Sequence, residues 1–404
     1  MSLERPLLPV PGLARLRADF GGTYAASAVV AFIFAASGPV AVILAVGARG
    51  GLSESDLASW LFGAFFANGL LSIAFCLLYR QPLVFFWTIP GAVLVGPALA
   101  HLSFAEVIGA YLAAGVLMLA LGLSGWVRRA MEAVPMPIVM GMVAGVFLRF
   151  GLDLVYALRD DVVVAAPMVA AFVALGLSAR ASRWVPPLIG ALAAGAIAIA
   201  LAGRFAPQEA LFAFAAPNLY APAFSWQAMV ELVVPLAITV LVVQNGQGIA
   251  VLSAVGHKPP VNAIAAACGL WSLATALVGC VSTCLTGPVN AILSSSGERE
   301  RQYSAGIAVG VLALAFGAMS PFFTRLLLAT PPAFIAALAG LAMLRVLQTA
   351  FAVAFGGRFA LGALVTFLVT VADVPILNIG AAFWGLVFGA LASLLLERGD
   401  FRRG

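Results

Sequence analysis

Long apolar stretches separated by short polar gaps run through almost the whole chain, from Tyr24 to Leu396. A hydrocarbon core of about 30 Å is crossed by an apolar helix of about 20 residues. With Gly, Pro and charged residues as boundaries, the pattern predicts fourteen membrane spans. They lie near residues 22–47, 54–79, 82–101, 104–125, 132–157, 161–180, 186–203, 227–255, 260–282, 283–297, 303–321, 331–356, 359–375 and 377–397.

Composition and charge agree with this reading. Of the 404 residues, 63% are hydrophobic and 9% are charged, whereas soluble domains carry about 25% charged residues. The basic residues are scattered singly, which argues against a nucleic-acid-binding patch. Residues 1–21 contain no apolar run typical of a cleavable signal peptide, so we expect a cytoplasmic N-terminal segment.

The distribution of Lys and Arg predicts the orientation. If the N-terminus is cytoplasmic, fifteen of the 21 Lys and Arg residues fall on the cytoplasmic side, where short loops are enriched in positive charge. Four fall outside, namely Arg49, Arg159, Arg204 and Arg325. The prediction is a multi-pass protein of the bacterial inner membrane with both termini in the cytoplasm.

Weak internal matches indicate an inverted repeat of seven plus seven spans within an all-α polytopic fold. Thr88 to Ala92 in span three corresponds to Thr286 to Asn290 in span ten. Pro135 precedes Arg149, and Pro331 precedes Arg345, by the same number of residues. An odd number of spans in each half makes the second half enter the membrane upside down, as in many secondary transporters.

Spans three and ten each carry a short β-like stretch before a proline. Val84 to Thr88 and Ser282 to Thr286 read as extended, and a proline then fits the first turn of a half-helix. Irregular backbone at membrane depth is tolerated only inside protein or a water-lined cavity, so the two stretches should meet at a buried polar site. The two converging helix N-termini would favour a carboxylate. The candidate substrate-binding residues are Thr88, Pro90, Gly91, Thr286, Gly287 and Pro288. The alternative is that both prolines merely kink ordinary helices.

A group of amides in span eight is the second candidate feature. Gln244, Asn245 and Gln247 lie in an apolar segment, where unpartnered amides are costly, so they either donate to a substrate carboxylate or bond between helices. Further substrate-binding candidates are Ser37 and Gly38 in span one, Asn290 in span ten, and Phe86 as an apolar wall.

Charged residues within the spans are candidates for proton coupling. Arg149 and Asp153 have the spacing of a pair along one helix face. Asp153, Glu231 and Glu298 are the candidate proton carriers, and the substrate's own carboxylate is an alternative.

Neither a metal-binding cysteine pattern nor a nucleophile-base pair is present in the sequence, so we predict no metal, no cofactor and no enzyme activity. A channel is also disfavoured, because the polar residues do not form rings along a pore.

Four segments carry a resemblance to a known family: Trp87 to Ala92, Val143 to Asp153, Gln244 to Ala250, and Ala382 to Gly385. They resemble the benzoate/proton symporter (BenE) family, which is similar in fold to the uracil and sulfate permeases. The resemblance implies uptake of benzoate, or a related small aromatic or organic acid, with protons. A nucleobase or another small anion is the alternative substrate.

The resemblance also implies a domain organisation. A core domain would comprise spans 1–4 (residues 22–125) and 8–11 (226–321), and a gate domain would comprise spans 5–7 (126–204) and 12–14 (322–398). Substrate would bind between the two domains. The resemblance further implies elevator-type movement of the core and a homodimer formed through the gate domains.

Overall fold

The computed structural model describes residues 3–127, 129, 135–178, 185–205, 212–295, 297–377 and 379–401. Among these residues the regular structure is helical apart from one two-stranded sheet, formed by β1 (Phe85–Trp87) and β2 (Thr283–Leu285). The helices are α1 (Leu13–Asp19), α2 (Gly22–Ala36), α3 (Gly38–Arg49), α4 (Glu54–Tyr79), α5 (Ile89–Ala98), α6 (Phe104–Ser124), α7 (Met136–Asp160), α8 (Val162–Gly176), α9 (Pro187–Leu201), α10 (Trp226–Ala254), α11 (Val261–Ala276), α12 (Gly287–Ser294), α13 (Tyr303–Ala318), α14 (Ser320–Leu328), α15 (Pro332–Phe355), α16 (Ala360–Ala372), α17 (Ala381–Leu396) and α18 (Arg398–Phe401).

Several helices are long and apolar enough to cross a membrane. In the described part of the chain they number six, namely the joined α2 and α3 together with α4, α6, α7, α10 and α15. The pair α13 and α14, bent by 70°, makes a seventh if it is one span. Shorter apolar helices lie between them. The protein is therefore a multi-pass membrane protein, while the count of fourteen spans and the inverted repeat stay predictions. The predicted ends of two spans, at residues 132 and 180, lie outside the described residues.

Three of the long helical stretches contain breaks or wide turns. Ser37 interrupts the first stretch with a non-helical backbone between α2 and α3. A π-helical turn at Gly63–Ala67 widens α4, and two more, at Met229–Val233 and Thr239–Asn245, widen α10. Such turns cost regular hydrogen bonding and occur often at functional sites. In α10 they contain Glu231 and two of the predicted amides.

Two helices begin at capping boxes that end the preceding polar loops. Ser53 accepts a hydrogen bond from the N–H of Asp56, whose carboxylate accepts one from the N–H of Ser53 in return. Ser103 and Glu106 repeat this arrangement at the start of α6. Each box satisfies two N–H groups that would otherwise lack an acceptor, so these polar positions fix where α4 and α6 start.

Small residues let the helices approach closely. A Cβ atom at Gly122 of α6 would overlap the backbone of Ala266 in α11, and one at Gly269 would overlap the backbone of Leu119. Without a hydrophobic driving force between helices in lipid, such close backbone packing is a main source of association. The contacts explain why this apolar sequence is also rich in glycine.

The helices pack as two groups. The first helix group consists of α2 to α6, β1, β2 and α10 to α13, and the second helix group consists of α7, α8, α9, α15, α16 and α17. The groups touch mainly where α3 meets α15 and where α5 meets α7. The site predicted from the sequence lies in the first group, partly along this boundary.

Candidate functional site

The two extended stretches meet, as the sequence predicted, in an antiparallel pair at the centre of the first helix group. Phe86 lies opposite Cys284, and both strands are buried. The ladder continues beyond the strands, because the N–H of Thr88 donates to the carbonyl of Ser282 at 3.0 Å. The pair thereby holds the starts of α5 and α12 next to each other.

Side chains from flanking helices satisfy strand groups that point away from the ladder. The hydroxyl of Ser72 in α4 accepts from the N–H of Phe85 at 2.8 Å, and the hydroxyl of Ser272 in α11 accepts from the N–H of Thr283 at 2.9 Å. Asn68 accepts from the hydroxyl of Thr283 at 2.8 Å. The sequence analysis missed these three supporting side chains. Their signal was the polar pair Asn68 and Ser72, one helical turn apart in an apolar span.

Asn245 and Asn290 are both engaged with the strands. The side-chain oxygen of Asn245 accepts from the N–H of Leu285 at 2.7 Å, and its NH₂ group lies 3.6 Å from the sulfur of Cys268. The amide of Asn290 accepts from the N–H of Val84 at 3.0 Å and donates to the carbonyl of Val84 at 3.2 Å. These bonds give both asparagines a role in holding the sheet in place. Direct contact of either amide with substrate stays a prediction.

The N-termini of the two half-helices differ in capping. At α5 the hydroxyl of Thr88 accepts from the N–H of Gly91 at 3.2 Å, and Pro90 occupies the first turn. At α12 the corresponding Thr286 forms no side-chain cap, although Pro288 again occupies the first turn. The hydroxyl oxygen of Thr286 is buried and has no hydrogen-bond partner among the residues that the structure describes. The N-terminus of α12 therefore has fewer hydrogen-bond partners than the N-terminus of α5.

Gln247, one of the two remaining amides of α10, lies beside this open terminus. Gln247 is so close to Gly287 that a Cβ atom there would overlap its amide group. Gly248 lets Leu285 approach, since a Cβ at Gly248 would lie 2.8 Å from the Leu285 side chain. Gln244 is buried in the π-helical turn just before them. The glycines thus bring α10 into contact with both β2 and α12.

Ser37 and Gly38 lie at the boundary between the helix groups. The hydroxyl of Ser37 donates to the carbonyl of Phe34 at 3.1 Å, so it satisfies its own helix end. A Cβ atom at Gly38 would overlap the Cβ of Ala342 in α15 and would lie 3.0 Å from Leu188 in α9. This glycine permits a close approach of α3 to the second group.

Phe86 belongs to a packed aromatic cluster of the first group. Its ring centroid is 5.2 Å from that of Phe65, which also contacts Trp87 at 5.0 Å and Phe316 at 4.4 Å. Phe86 is 3% exposed. The expected role as a wall against a substrate ring is not tested by this packing and stays a prediction.

A cavity of about 780 Å³ opens between the two helix groups, at the ends of α3 and α5. We call it the vestibule. Its charged or titratable lining residues are Arg49, His101, Arg149, Asp153, Tyr156, Glu231 and Asp373. Charges at membrane depth that line a water-accessible cavity are typical of substrate or ion pathways.

The ion pairs in the vestibule differ from the expected one. The sequence spacing favoured a pair between Arg149 and Asp153 within α7, but Asp153 instead pairs with Arg49 at the end of α3. This bond joins the second helix group to the first. Arg149 lies along the same cavity as Asp373. The expectation was wrong because local helix spacing does not encode the neighbour that tertiary packing brings closer.

The three candidate proton carriers are placed differently. Glu231 is 5% exposed, and its carboxylate lies 2.9 Å from His101 in the vestibule. Asp153 lines the vestibule in its pair with Arg49. Glu298 is 71% exposed in the turn after α12, away from the vestibule lining. Proton coupling by any of the three stays a prediction.

Comparison with known proteins identifies the family. The model of the benzoate membrane transport protein family (BenE) matches residues 20–395. The benzoate membrane transport protein of Acinetobacter baylyi is 27% identical over 390 residues, covering 95% of this chain and 98% of that protein. The inner membrane protein YdcO of Escherichia coli is 28% identical over 351 residues, covering 86% of this chain and 89% of that protein.

Solved structures share the fold. The transmembrane domain of the cyanobacterial bicarbonate transporter BicA matches with a TM-score of 0.62 and 18% identity, covering 90% of this chain and 96% of that domain. The murine anion transporter Slc26a9 in its inward-facing state matches with a TM-score of 0.64 and 14% identity, covering 98% of this chain and 73% of that chain. The family and these relatives are membrane transporters and not enzymes. The protein is therefore a membrane transporter that belongs to the BenE family of benzoate membrane transport proteins.

Proposed function

We propose that this protein is a secondary active transporter that carries benzoate, or a related small aromatic or organic acid, together with protons. One observation carries the proposal. The first N–H groups of α12 have no intrahelical acceptor, and the hydroxyl of Thr286 beside them lacks a partner among the described residues. A carboxylate at this position would accept from both, and the positive end of the helix dipole favours its charge.

The identity of the acid rests on the relatives. The protein from Acinetobacter baylyi is named a benzoate membrane transport protein, and two structural relatives are named as transporters of bicarbonate or anions. An open helix N-terminus suits an organic carboxylate and a small inorganic anion alike. A small inorganic anion such as bicarbonate is therefore the second candidate, and a nucleobase is kept as a competitor in the test.

We further propose that the first helix group moves as a core against the second as a gate, and that two protomers join through their gates. The vestibule lies between the two groups, and Gly38 meets the small side chain of Ala342 at their boundary. A boundary of this kind supports sliding of one rigid body past another. The family resemblance supports both the elevator movement and the dimer.

Uptake of labelled benzoate into proteoliposomes tests the function. Neutral benzoic acid crosses lipid unaided, so uptake into protein-free liposomes under the same pH gradient must be subtracted. We expect protein-dependent, saturable uptake that an alkaline interior accelerates and that unlabelled aromatic acids displace. Displacement by bicarbonate or uracil but not by aromatic acids would reassign the substrate. Equal uptake with and without the protein would refute the proposal for benzoate.

A further inference from the structure

The vestibule contains an unequal number of positive and negative groups. Among the described residues that line it, two are cationic at neutral pH and three are anionic, with one histidine besides. Arg49 and Asp153 neutralise each other directly. Arg149 and Asp373 contribute one further charge of each sign. Glu231 is then the surplus negative charge, and His101 is the residue next to it that can change charge near neutral pH.

The contact between His101 and Glu231 is direct. The ring Nε2 atom lies 2.9 Å from the Glu231 carboxylate, whose side chain is 5% exposed, whereas the His101 side chain is 24% exposed. An ionised carboxylate only accepts hydrogen bonds, so in the neutral ring Nε2–H is the donor and Nδ1 can take up a proton. His101 is thus the more exposed partner, and Glu231 is the more buried one.

Glu231 also lies at the boundary between the helix groups. It belongs to a π-helical turn of α10 in the first group, at Met229–Val233. Gly380, which precedes α17 of the second group, approaches so closely that a Cβ atom there would overlap the carboxylate of Glu231. A change in the charge of the pair therefore changes the electrostatic energy at the contact between the two helix groups.

Other titratable groups surround the pair. Arg49 from α3, together with Arg149, Asp153 and Tyr156 from α7, lines the same cavity, as does Asp373 after α16. Glu106 of α6 also acts electrostatically on His101, while its carboxylate is held by Ser103 in the capping box. Glu106 adds a further negative charge near the pair.

We propose that His101 and Glu231 together bind the proton that is transported with the substrate. This rests on the proposed function, and it assigns the proton to a site separate from the substrate carboxylate. A hydronium ion in the vestibule gives its proton to Nδ1 of the His101 imidazole: one O–H bond breaks, one N–H bond forms, and a water molecule is left. The pair changes from a net charge of −1 to zero, and the whole vestibule lining becomes neutral.

Neutrality links the proton to movement. Closing the vestibule around a carboxylate whose charge is not compensated costs much more than closing it around a hydrogen-bonded pair of zero net charge. The helix groups can then close at low cost only after the proton has bound. On the opposite side of the membrane the pair loses the proton to the more alkaline solution.

The test compares His101→Gln and Glu231→Gln with His257→Gln. His257 is the matched control, since the chain has only two histidines and His257 bonds to Gln302 away from the vestibule. In wild-type protein and in the control, an alkaline interior should accelerate protein-dependent benzoate uptake. In both vestibule variants this acceleration should fall to a ratio of about one. Benzoate counterflow without a pH gradient should be faster in Glu231→Gln, whose lining is neutral without the added proton, than in His101→Gln, whose lining stays negative. Acceleration that persists in either variant would overturn the proposal.

Nuclear magnetic resonance of ¹⁵N-histidine protein separates this proposal from the substrate assignment, because it needs no substrate. Two histidine side chains should be visible, and loss of one in His101→Gln assigns them. When wild-type protein and Glu231→Gln are compared at the same pH, the variant should have a lower protonated fraction of the His101 ring and an unchanged His257 signal, because the carboxylate 2.9 Å from the His101 ring is gone. An unchanged His101 signal in Glu231→Gln would overturn the pair even if benzoate proved not to be the substrate.

Discussion

The half-helices α5 and α12 begin with similar residues but differ in how their N-termini are capped. Both follow a buried strand, both carry proline in the first turn, and both begin after a threonine. Thr88 caps α5, whereas Thr286 leaves α12 uncapped. Asn290 of α12 reaches back to hold Val84, but α5 has Ala92 at the matching position and therefore cannot do the same. The difference indicates that α5 serves as a fixed support and that α12 offers the free donors.

The C-terminal ends of the two half-helices also differ, in the partner of the histidine that lies near each of them. His101, after α5, contacts the carboxylate of Glu231. Near the end of α12, His257 contacts the amide of Gln302, which also donates to the carbonyl of Ser294 at 3.0 Å. One histidine therefore has a charged partner in a cavity and the other has a neutral partner in a buried loop. Their roles in proton binding should differ accordingly.

The largest expected effect comes from removing the amide that only α12 provides. Asn290→Leu leaves the N–H of Val84 buried without its partner, at a cost of about 1–3 kcal/mol, while the carbonyl of Val84 keeps the bond from the N–H of Thr286 at 3.1 Å. We expect a clear fall in the unfolding temperature, measured in detergent. Ser295→Ala, at an exposed position just after α12, is the control. An Asn290→Leu protein as stable as wild type would show that the bond to Val84 does not hold β1.

The two threonines should give opposite results. Thr88→Val removes a helix cap, which costs about 0.5–2 kcal/mol of stability. Thr286→Val removes no cap, so stability should be retained. It should weaken benzoate binding about tenfold or more, because a hydrogen bond to a charged group contributes about 1.5–3 kcal/mol. Calorimetric binding and thermal unfolding of both variants provide the measurement. If Thr286→Val destabilises the protein as much as Thr88→Val does and binding is unaffected, the distinction between the two termini fails.

The smallest expected effect concerns pH. Burial lowers the pKa of His257, although its hydrogen bond with Gln302 acts in the opposite direction. The unfolded chain therefore takes up this proton first as pH falls below about 6.5, so the contribution to stability is present above that pH and declines below it. Unfolding temperatures measured from pH 7.5 to pH 5.5 should fall less steeply in His257→Gln than in wild type. Equal slopes would mean that the ring is not kept neutral by the fold.

Much of this architecture could be predicted from the sequence, because its causes are local. Apolar runs predicted the helices. A proline after residues typical of extended backbone predicted where each half-helix starts, at Pro90 and Pro288. The expectation that both extended stretches meet at one buried place is confirmed by the pairing of Phe86 with Cys284. Backbone N–H and C=O groups at membrane depth need hydrogen-bond partners, and two extended stretches can provide them by pairing with each other.

The polar contacts were harder to predict because their causes are not local. Asn245 and Asn290 looked like substrate ligands, since the strand groups that they satisfy lie far away in sequence. Asp153 has an arginine one turn away in its own helix, yet it pairs with Arg49 of another helix. His101 lies at the end of a predicted span, and the fold places Glu231, which is 130 residues away in sequence, beside it. Hydropathy shows that a buried polar group needs a partner, but it does not identify that partner.

The strand pair also affects how the protein is made. Phe85 lies opposite Leu285, so 200 residues separate the paired positions of this two-stranded sheet along the chain. At a synthesis rate of about 5–20 residues per second, the first strand waits roughly 10–40 s for its partner. During that time the insertion machinery or water must satisfy its backbone. Most of the chain must therefore be synthesised before the sheet of β1 and β2, at the centre of the first helix group, can form.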